Sequence, residues 1–346
     1  MPRSLAYAER AEAEGQCVVG ASSLGHDPAR GSYQSWTQLP FVTAPEFDDA
    51  LRAAIAEFDI GGIYTPNAVV WNYLDHCIGA KFPGVSLING SPVEAEVLPY
   101  HKALEFADML CREPLALAAR GQPHPGASTL EIASLFRHAE TIPGMCDHEK
   151  IRALCEIFRF SQRGDIVEIG SWWGKSAFVF LRLLKSYGTG KLLCVDPWSN
   201  ECLIQDDEGG LVDQVPVDAD EALTVFQLNL LPYAGGDVNY LRLPSVEGAA
   251  RYRENATVTT EVFGETTYSG QISILHIDGN HSYEAVRADV DAWTGLVMQG
   301  GWIIIDDYIW PYGDGPRQVG DSYLEKHADS LAAAFVMGSA LFIQLR

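Results

Sequence analysis

The chain has 346 residues, 47% of them hydrophobic and 20% charged, which is more than a single ordinary core of about 100–150 residues needs. A formal charge of −22, from 24 basic and 46 acidic residues, repels a phosphate backbone, and no dense Lys/Arg block offsets it. Nucleic acid and anionic membrane surfaces are therefore excluded as expected partners.

In chain order, the first section reads as a small α/β unit. It has an apolar strand in QCVVGAS, a polar loop SLGHDPARGSYQSW, an amphipathic helix in PEFDDALRAAIAEF and a second strand in GGIYT. Leu51, Ile55 and Phe58 recur at i, i+4 and i+7, the spacing of one helix face. Tyr64, Trp71 and Tyr73 read as core or interface residues. A longer helical pattern over 99–120 runs into GQPHPGAS, whose Gly and Pro content marks a boundary between residues 1–122 and 123–346. The N-terminal section is expected to be an accessory domain that covers the site of the larger domain or mediates homodimer contacts.

Helical stretches at 129–140 and 148–160 lead into an alternation of strands and helices. Strands are expected at 166–169, 192–195, 238–241, 272–277 and 302–305. Near-continuous apolar strands of this kind belong to a parallel sheet covered by helices on both faces. Residues 335–337 and 341–345, split by Gly338-Ser339, predict a closing antiparallel hairpin. The fold class is thus α/β, with a mostly parallel Rossmann-like sheet and a smaller N-terminal α/β domain. Seven cysteines without a CxxC pair read as reduced, mostly buried residues. No apolar run of about 18 residues is present, and the opening MPRSLAYAERAEAEG lacks a secretory apolar stretch, so a cytoplasmic location is expected.

DIVEIGSWWGKSAFVFLRLL reads as a buried strand, a turn containing Gly170 and Gly174, and an apolar helix. Glycines admit a ligand close to the backbone, and the free N–H groups of a helix start attract anionic groups. The spacing is GxxxG, not the GxGxxG of a dinucleotide site, which disfavours a nicotinamide-dependent oxidoreductase. The strand KLLCV ends in Asp196, placed to accept paired ribose hydroxyls.

VEIGSWWGKSA followed by LLCVDPW resembles motifs I and II of class I methyltransferases. HIDGNHSYEAVRADVDAW followed by GGWIIIDDY resembles the later motifs of a small-molecule O-methyltransferase family, methyltransferase family 24-like. That family includes antibiotic-sugar O-methyltransferases and is similar in layout to catechol O-methyltransferase. The resemblance covers residues 142–346 and implies S-adenosylmethionine as cofactor and a small-molecule acceptor. It implies that Glu168, Gly170 and Ser176 hold the methionine end, that Asp196 takes the ribose and that Ser245 lies by the adenine. Ser171, Trp172, Gly174 and Trp198 complete the expected cofactor contacts. Two insertion-like stretches, NECLIQDDEGGLVDQVPVDADEA and ENATVTTEVFGETTYSGQ, are expected to shape the acceptor pocket.

Asp278 and Asp306-Asp307 end neighbouring strands, so three carboxylates are expected to converge. Their mutual repulsion calls for a cation, and an all-oxygen set suits Mg²⁺ or another hard divalent ion. His281, three residues past Asp278, takes the spacing of the catalytic lysine of the catechol enzyme, and histidine is the side chain most often used as a general base. The expected reaction is methyl transfer to a hydroxyl of a sugar, natural product or catechol-like diol, with Asp278 and His281 in catalytic roles. The alternatives are a metal-independent transferase using His281 as base and a non-catalytic cofactor-binding protein.

Overall fold

The computed structural model describes residues 2–205 and 210–346. The chain divides into two compact units, Met1–Lys102 and Ala103–Arg346.

The first unit contains α1 (Pro2–Ala13), β1 (Val19–Ser22), β2 (Ser35–Gln38), α2 (Phe47–Phe58), β3 (Gly62–Ile63), α3 (Ala68–Lys81), β4 (Ser86–Leu87) and the start of α4 (Pro92–Arg112). β1 pairs with β2 and β3 with β4, both in parallel. Part of the expected polar loop is therefore a short strand. α3 begins where Asn67 Oδ1 accepts the N–H groups of Val69 and Val70, satisfying two of the donors a helix start leaves open. Phe47, Leu51, Leu74 and Phe82 form the small core, and Trp71 and Tyr73 join its framework through Asn89 and Phe47.

α4 lies earlier than the expected helix because Pro99 sits inside it. The division between the compact units falls within α4. The Pro/Gly stretch belongs to the second unit, held by Arg120 N–H to Gln344 Oε1 at 2.7 Å and His124 N–H to the Arg159 carbonyl at 2.7 Å.

The second unit runs α5 (Thr129–Ala139), α6 (His148–Arg159), β5 (Asp165–Ile169), α7 (Lys175–Tyr187), β6 (Leu192–Val195), α8 (Ala219–Leu230), β7 (Val238–Leu241) and α9 (Ser245–Glu254). It continues with β8 (Thr257–Thr260), β9 (Gly264–Thr267), β10 (Ile272–Ile277), α10 (Tyr283–Trp293), β11 (Val297–Ile305), α11 (Gly315–His327), β12 (Leu331–Met337) and β13 (Ala340–Leu345). Seven strands form one sheet in the order β12-β13-β11-β10-β5-β6-β7, with β13 antiparallel to β11 and β12 and the rest parallel. This is a Rossmann-like sheet closed by the expected hairpin.

Alternation along each strand splits the core into two faces. Ile166, Phe178, Phe180, Trp302 and Phe342 pack on one, and Val167, Ile169, Val290, Trp293 and Ile303 on the other. The chain leaves β5 toward β6 and β7, then returns to β10 on its other side. Ligands of open α/β sheets bind at such a reversal, at the carboxyl ends of the strands.

One expectation is corrected by this topology. The stretch between α9 and β10 folds into the β8–β9 hairpin at the amino edge of the sheet, opposite the site. Asn239 Nδ2 donates to the Val258 and Gly264 carbonyls, Tyr268 OH to the Leu192 carbonyl, and the Ser269 and Gly270 N–H groups to Asp165. A segment that joins a returning helix to the next parallel strand must lie at that edge, so it cannot line the acceptor pocket. The cysteines also differ from expectation: Cys146, Cys155 and Cys194 are buried, whereas Cys17, Cys111 and Cys202 are exposed.

Candidate active site

The turn after β5 is built on left-handed backbone. Gly170 has φ 76°, Trp172 48° and Gly174 86°. A Cβ on Gly170 would collide with the Asp278 carbonyl and Gly279, so only glycine lets the ends of β5 and β10 approach this closely. Trp172, Trp198 and Asp307 are three of the four non-glycine residues with positive φ among the described residues, and all three follow strands of this edge. Such strain persists where surrounding structure enforces it, typically at functional sites.

Asp196 is the fastening of that turn. Its Oδ2 accepts the Ser171 and Trp172 N–H groups at 2.9 and 3.0 Å, and its Oδ1 accepts the Trp198 N–H at 2.8 Å. Burial pushes its pKa up, while the three backbone donors pull it down and leave a net rise. Ser171 Oγ in turn donates to Glu168 Oε2 at 2.7 Å. α7 follows, with Ser176 buried in its first turn. The first bond of that helix, from Phe178 N–H to the Gly174 carbonyl, leaves the Lys175, Ser176 and Ala177 N–H groups without intrahelical acceptors. A cavity of about 620 Å³ opens beside this helix start, lined by Lys175 and by residues of the segment from Gly144 to Glu149.

Two of the expected cofactor residues are engaged by other groups of the chain. Trp198 is 1% exposed, packs on Phe226 and Tyr240, and donates its Nε1–H to the Trp172 carbonyl at 3.0 Å. Its indole braces the turn from the core side. Ser245 opens α9 and accepts the Trp293 Nε1–H at 3.0 Å. It also hydrogen-bonds Asp289, which burial holds at a pKa of about 6.

The acidic residues converge at the ends of β10 and β11. Asp278, His281 and Asp307 bring one ligand atom each within 4.8 Å of one another, and so do His276, Asp278 and Asp306. The two sets differ in character. In the outer one, His281 Nε2 lies 3.0 Å from Asp307 Oδ2 as an ion-pair contact, and neither ring nitrogen makes a hydrogen bond. The imidazole stands edge-on to Trp310. In the inner one, Lys150 from the first turn of α6 pairs with Asp306 and lies 3.5 Å from Asp278 Oδ2. His276, fully buried in β10, has Nδ1 3.2 Å from Glu168 Oε1 and Nε2 3.5 Å from Asp306 Oδ2. Burial raises the pKa of Asp278, against the opposing pull of Lys150 and His276. For Lys150, burial works against the charge, but Asp278, Cys146, Asp307 and Glu168 outweigh it and the pKa rises.

A family model described as a methyltransferase domain matches residues 167–308, from β5 through Asp307. That match takes in the glycine turn, Asp196 and the acidic residues at the ends of β10 and β11. Among solved structures, it is similar to the O-methyltransferase NovP at 16% identity over 72% of this chain and 98% of that one, with a TM-score of 0.37. It is also similar to CalS11, a TDP-rhamnose 3'-O-methyltransferase of calicheamicin biosynthesis, at 14% identity over 74% and 96% of the two chains, with a TM-score of 0.41. A third is the mycinamycin-pathway methyltransferase MycE in complex with Mg, SAH and mycinamycin VI, at 16% identity over 54% and 46%, with a TM-score of 0.32. No curated protein matches the chain.

Within the second unit, Lys150, His276 and Gln205 are site residues that motif spacing does not reveal. Gln205 Oε1 accepts the His281 N–H at 3.0 Å, and Asn280 Nδ2 donates to the Ile204 carbonyl at 2.6 Å. The long stretch after β6 therefore reaches the acidic rim, and its residues 206–209 lie outside the described ones. For Lys150 and His276 a signal did exist. Lys150 is in phase with Ala153, Leu154 and Ile157 on the apolar stripe of α6, and His276 interrupts the apolar run of β10.

Proposed function

We propose that this domain transfers a methyl group from S-adenosylmethionine to a hydroxyl of a small molecule, assisted by a divalent cation. One observation carries the reading. The glycine turn after β5 and the Asp278, His281 and Asp307 set occupy adjoining strand ends at the sheet's reversal point.

The residues present fit both groups. The turn offers close backbone approach and unused N–H groups for the methionine end, with Glu168, Gly170, Ser171, Trp172, Gly174 and Ser176 framing it. Asp196 Oδ1 receives one backbone donor and keeps room for a ribose hydroxyl. Asp278 and Asp307 supply two carboxylates, the number with which Mg²⁺ is commonly held while other positions stay open to substrate and water. A bound divalent cation supplies Lewis acidity that lowers the pKa of an acceptor hydroxyl.

His281 then acts as base. Its Nε2 lies 3.0 Å from Asp307 Oδ2, and neither ring nitrogen is committed to a hydrogen bond, so the imidazole keeps the capacity to take the hydroxyl proton. Alignment of acceptor oxygen and sulfonium methyl along one line would contribute much of the acceleration through proximity. An acceptor with vicinal hydroxyls fits two carboxylates and a nearby base. The N-terminal unit serves, in this reading, as an accessory domain.

Transfer of labelled methyl from S-adenosylmethionine to a panel of vicinal diols, sugars and catechols tests the proposal. Activity that disappears on chelation and returns with Mg²⁺ supports it, and no transfer to any hydroxyl would reject it. The 3.0 Å His281–Asp307 pair favours one second reading, a metal-free base dyad. Full activity after exhaustive chelation would select that reading.

A further inference from the structure

The expected need for a cation among the rim carboxylates is met, in part, by the chain itself. Lys150 is 1% exposed and sits in the first turn of α6, whose start is fixed by Asp147 Oδ1 accepting the Lys150 N–H at 2.7 Å. Its ammonium reaches Asp306 Oδ2 directly. The other oxygen of Asp306 accepts the Asp307 N–H at 3.0 Å and the Ser339 hydroxyl at 3.2 Å. Asp306 is thus committed on both oxygens to donors of this chain, and its side chain is 6% exposed, against 24% for Asp278 and 19% for Asp307.

We propose that Lys150 is a built-in cation that permanently occupies the Asp306 position and confines the rim to a single divalent ion held by Asp278 and Asp307. The inference rests on the metal reading above for its second half only. An ammonium and a divalent ion cannot share Asp306 Oδ2 without strong mutual repulsion in a site this buried. With Lys150 also 3.5 Å from Asp278 Oδ2, its charge weakens attraction of the rim for the ion and keeps that ion exchangeable. Lys150 is accordingly a positioning residue, acting through the two aspartates.

The test uses full-length wild type, Lys150→Met, Asp306→Asn and the double variant. Melting in EDTA and Mn²⁺ titration followed by the resonance of free Mn²⁺ are the readouts. Lys150→Met leaves a buried carboxylate unpaired, so its melting temperature in EDTA should fall on the order of 10 °C. Mn²⁺ should restore most of that loss, and Mn²⁺ affinity should rise at least about tenfold because a neighbouring positive charge is gone. The double variant, lacking both charges, should melt well above Lys150→Met and bind Mn²⁺ with near wild-type affinity. It also keeps the test informative if Lys150→Met fails to fold.

A Lys150→Met protein that melts like wild type in EDTA, or a double variant no more stable than Lys150→Met, would overturn the built-in cation. Unchanged Mn²⁺ affinity in Lys150→Met, with wild type binding the ion, would overturn it as well. Absence of Mn²⁺ binding in every variant would instead remove the metal reading and the single-ion half of the proposal, while the melting cycle still decides the Lys150–Asp306 pairing.

Discussion

The two halves of the sheet's carboxyl edge neutralise their acids in different ways. Beside β5 and β6, Asp196 is held by three backbone N–H groups. Beside β10 and β11, Asp278, Asp306 and Asp307 are held by side chains, chiefly Lys150, His276 and His281. Backbone donors cannot leave or change charge, so the first arrangement makes a rigid turn suited to one fixed ligand. Side-chain partners can be exchanged for an ion or a substrate, so the second suits chemistry. A further acid, Asp289, has no charged partner: the Ser245 side chain is its hydrogen-bonding partner, and burial pushes its pKa up to about 6.

The sharpest break of this contrast is on the exchangeable side. His281→Ala should lower kcat by about 10²–10⁴-fold, the usual range for a general base, with little change in binding of S-adenosylhomocysteine. Steady-state kinetics alongside calorimetry checks this, and a parallel loss of cofactor affinity would erase the division of labour between the halves. On the fixed side, Asp196→Ala strips three N–H groups of their acceptor. It should lower stability by about 3 kcal/mol and weaken S-adenosylhomocysteine by roughly 1–3 kcal/mol. Chemical denaturation and calorimetry measure the two effects, and an unchanged affinity would move the ribose away from Asp196.

Asp289→Asn probes this buried acid without a charged partner. Its folded pKa of about 6 lies above the ordinary 3.8, so the native carboxyl resists ionisation. The penalty is absent below pH 4, grows as pH rises from 4 to 6 and is constant above. Asp289→Asn should therefore stabilise the protein at pH 7 by about 2–3 kcal/mol and leave stability at pH 3.5 nearly unchanged. Denaturation curves at the two pH values decide it, and equal effects at both would deny the raised pKa. The smallest effect is expected at Trp198→Phe, which keeps the core ring but loses one hydrogen bond to the Trp172 carbonyl, worth about 1 kcal/mol. A large loss of cofactor binding there, with stability intact, would return Trp198 to the cofactor site.

Much of the second unit was legible because its signals are local. Apolar runs marked β5, β6, β7 and β10, and the glycine spacing and strand-end acids marked the edge where ligands gather. Gly338-Ser339 marked the hairpin. What escaped depends on tertiary partners. Nothing adjacent to Lys150 announces that its ammonium lies among Asp278 and Asp306, and the need for a cation there pointed only to a metal. Asp196 was legible as an acid in the right place, but not as the anchor of the Ser171 and Trp172 N–H groups. The β8–β9 stretch lacks apolar alternation strong enough to announce a hairpin, and its location follows from topology. In the first unit, β3 was legible in GGIYT, but strands of two to four residues such as β2 and β4 carry too little periodicity to read.

Anomalous diffraction from crystals grown with Mn²⁺ and S-adenosylhomocysteine tests the central claim most directly. One manganese peak on Asp278 and Asp307, with Lys150 still on Asp306 and the nucleoside over the Gly170–Gly174 turn, is the expected result. A peak bound to Asp306 with Lys150 displaced, or a nucleoside seated away from that turn, would contradict the account.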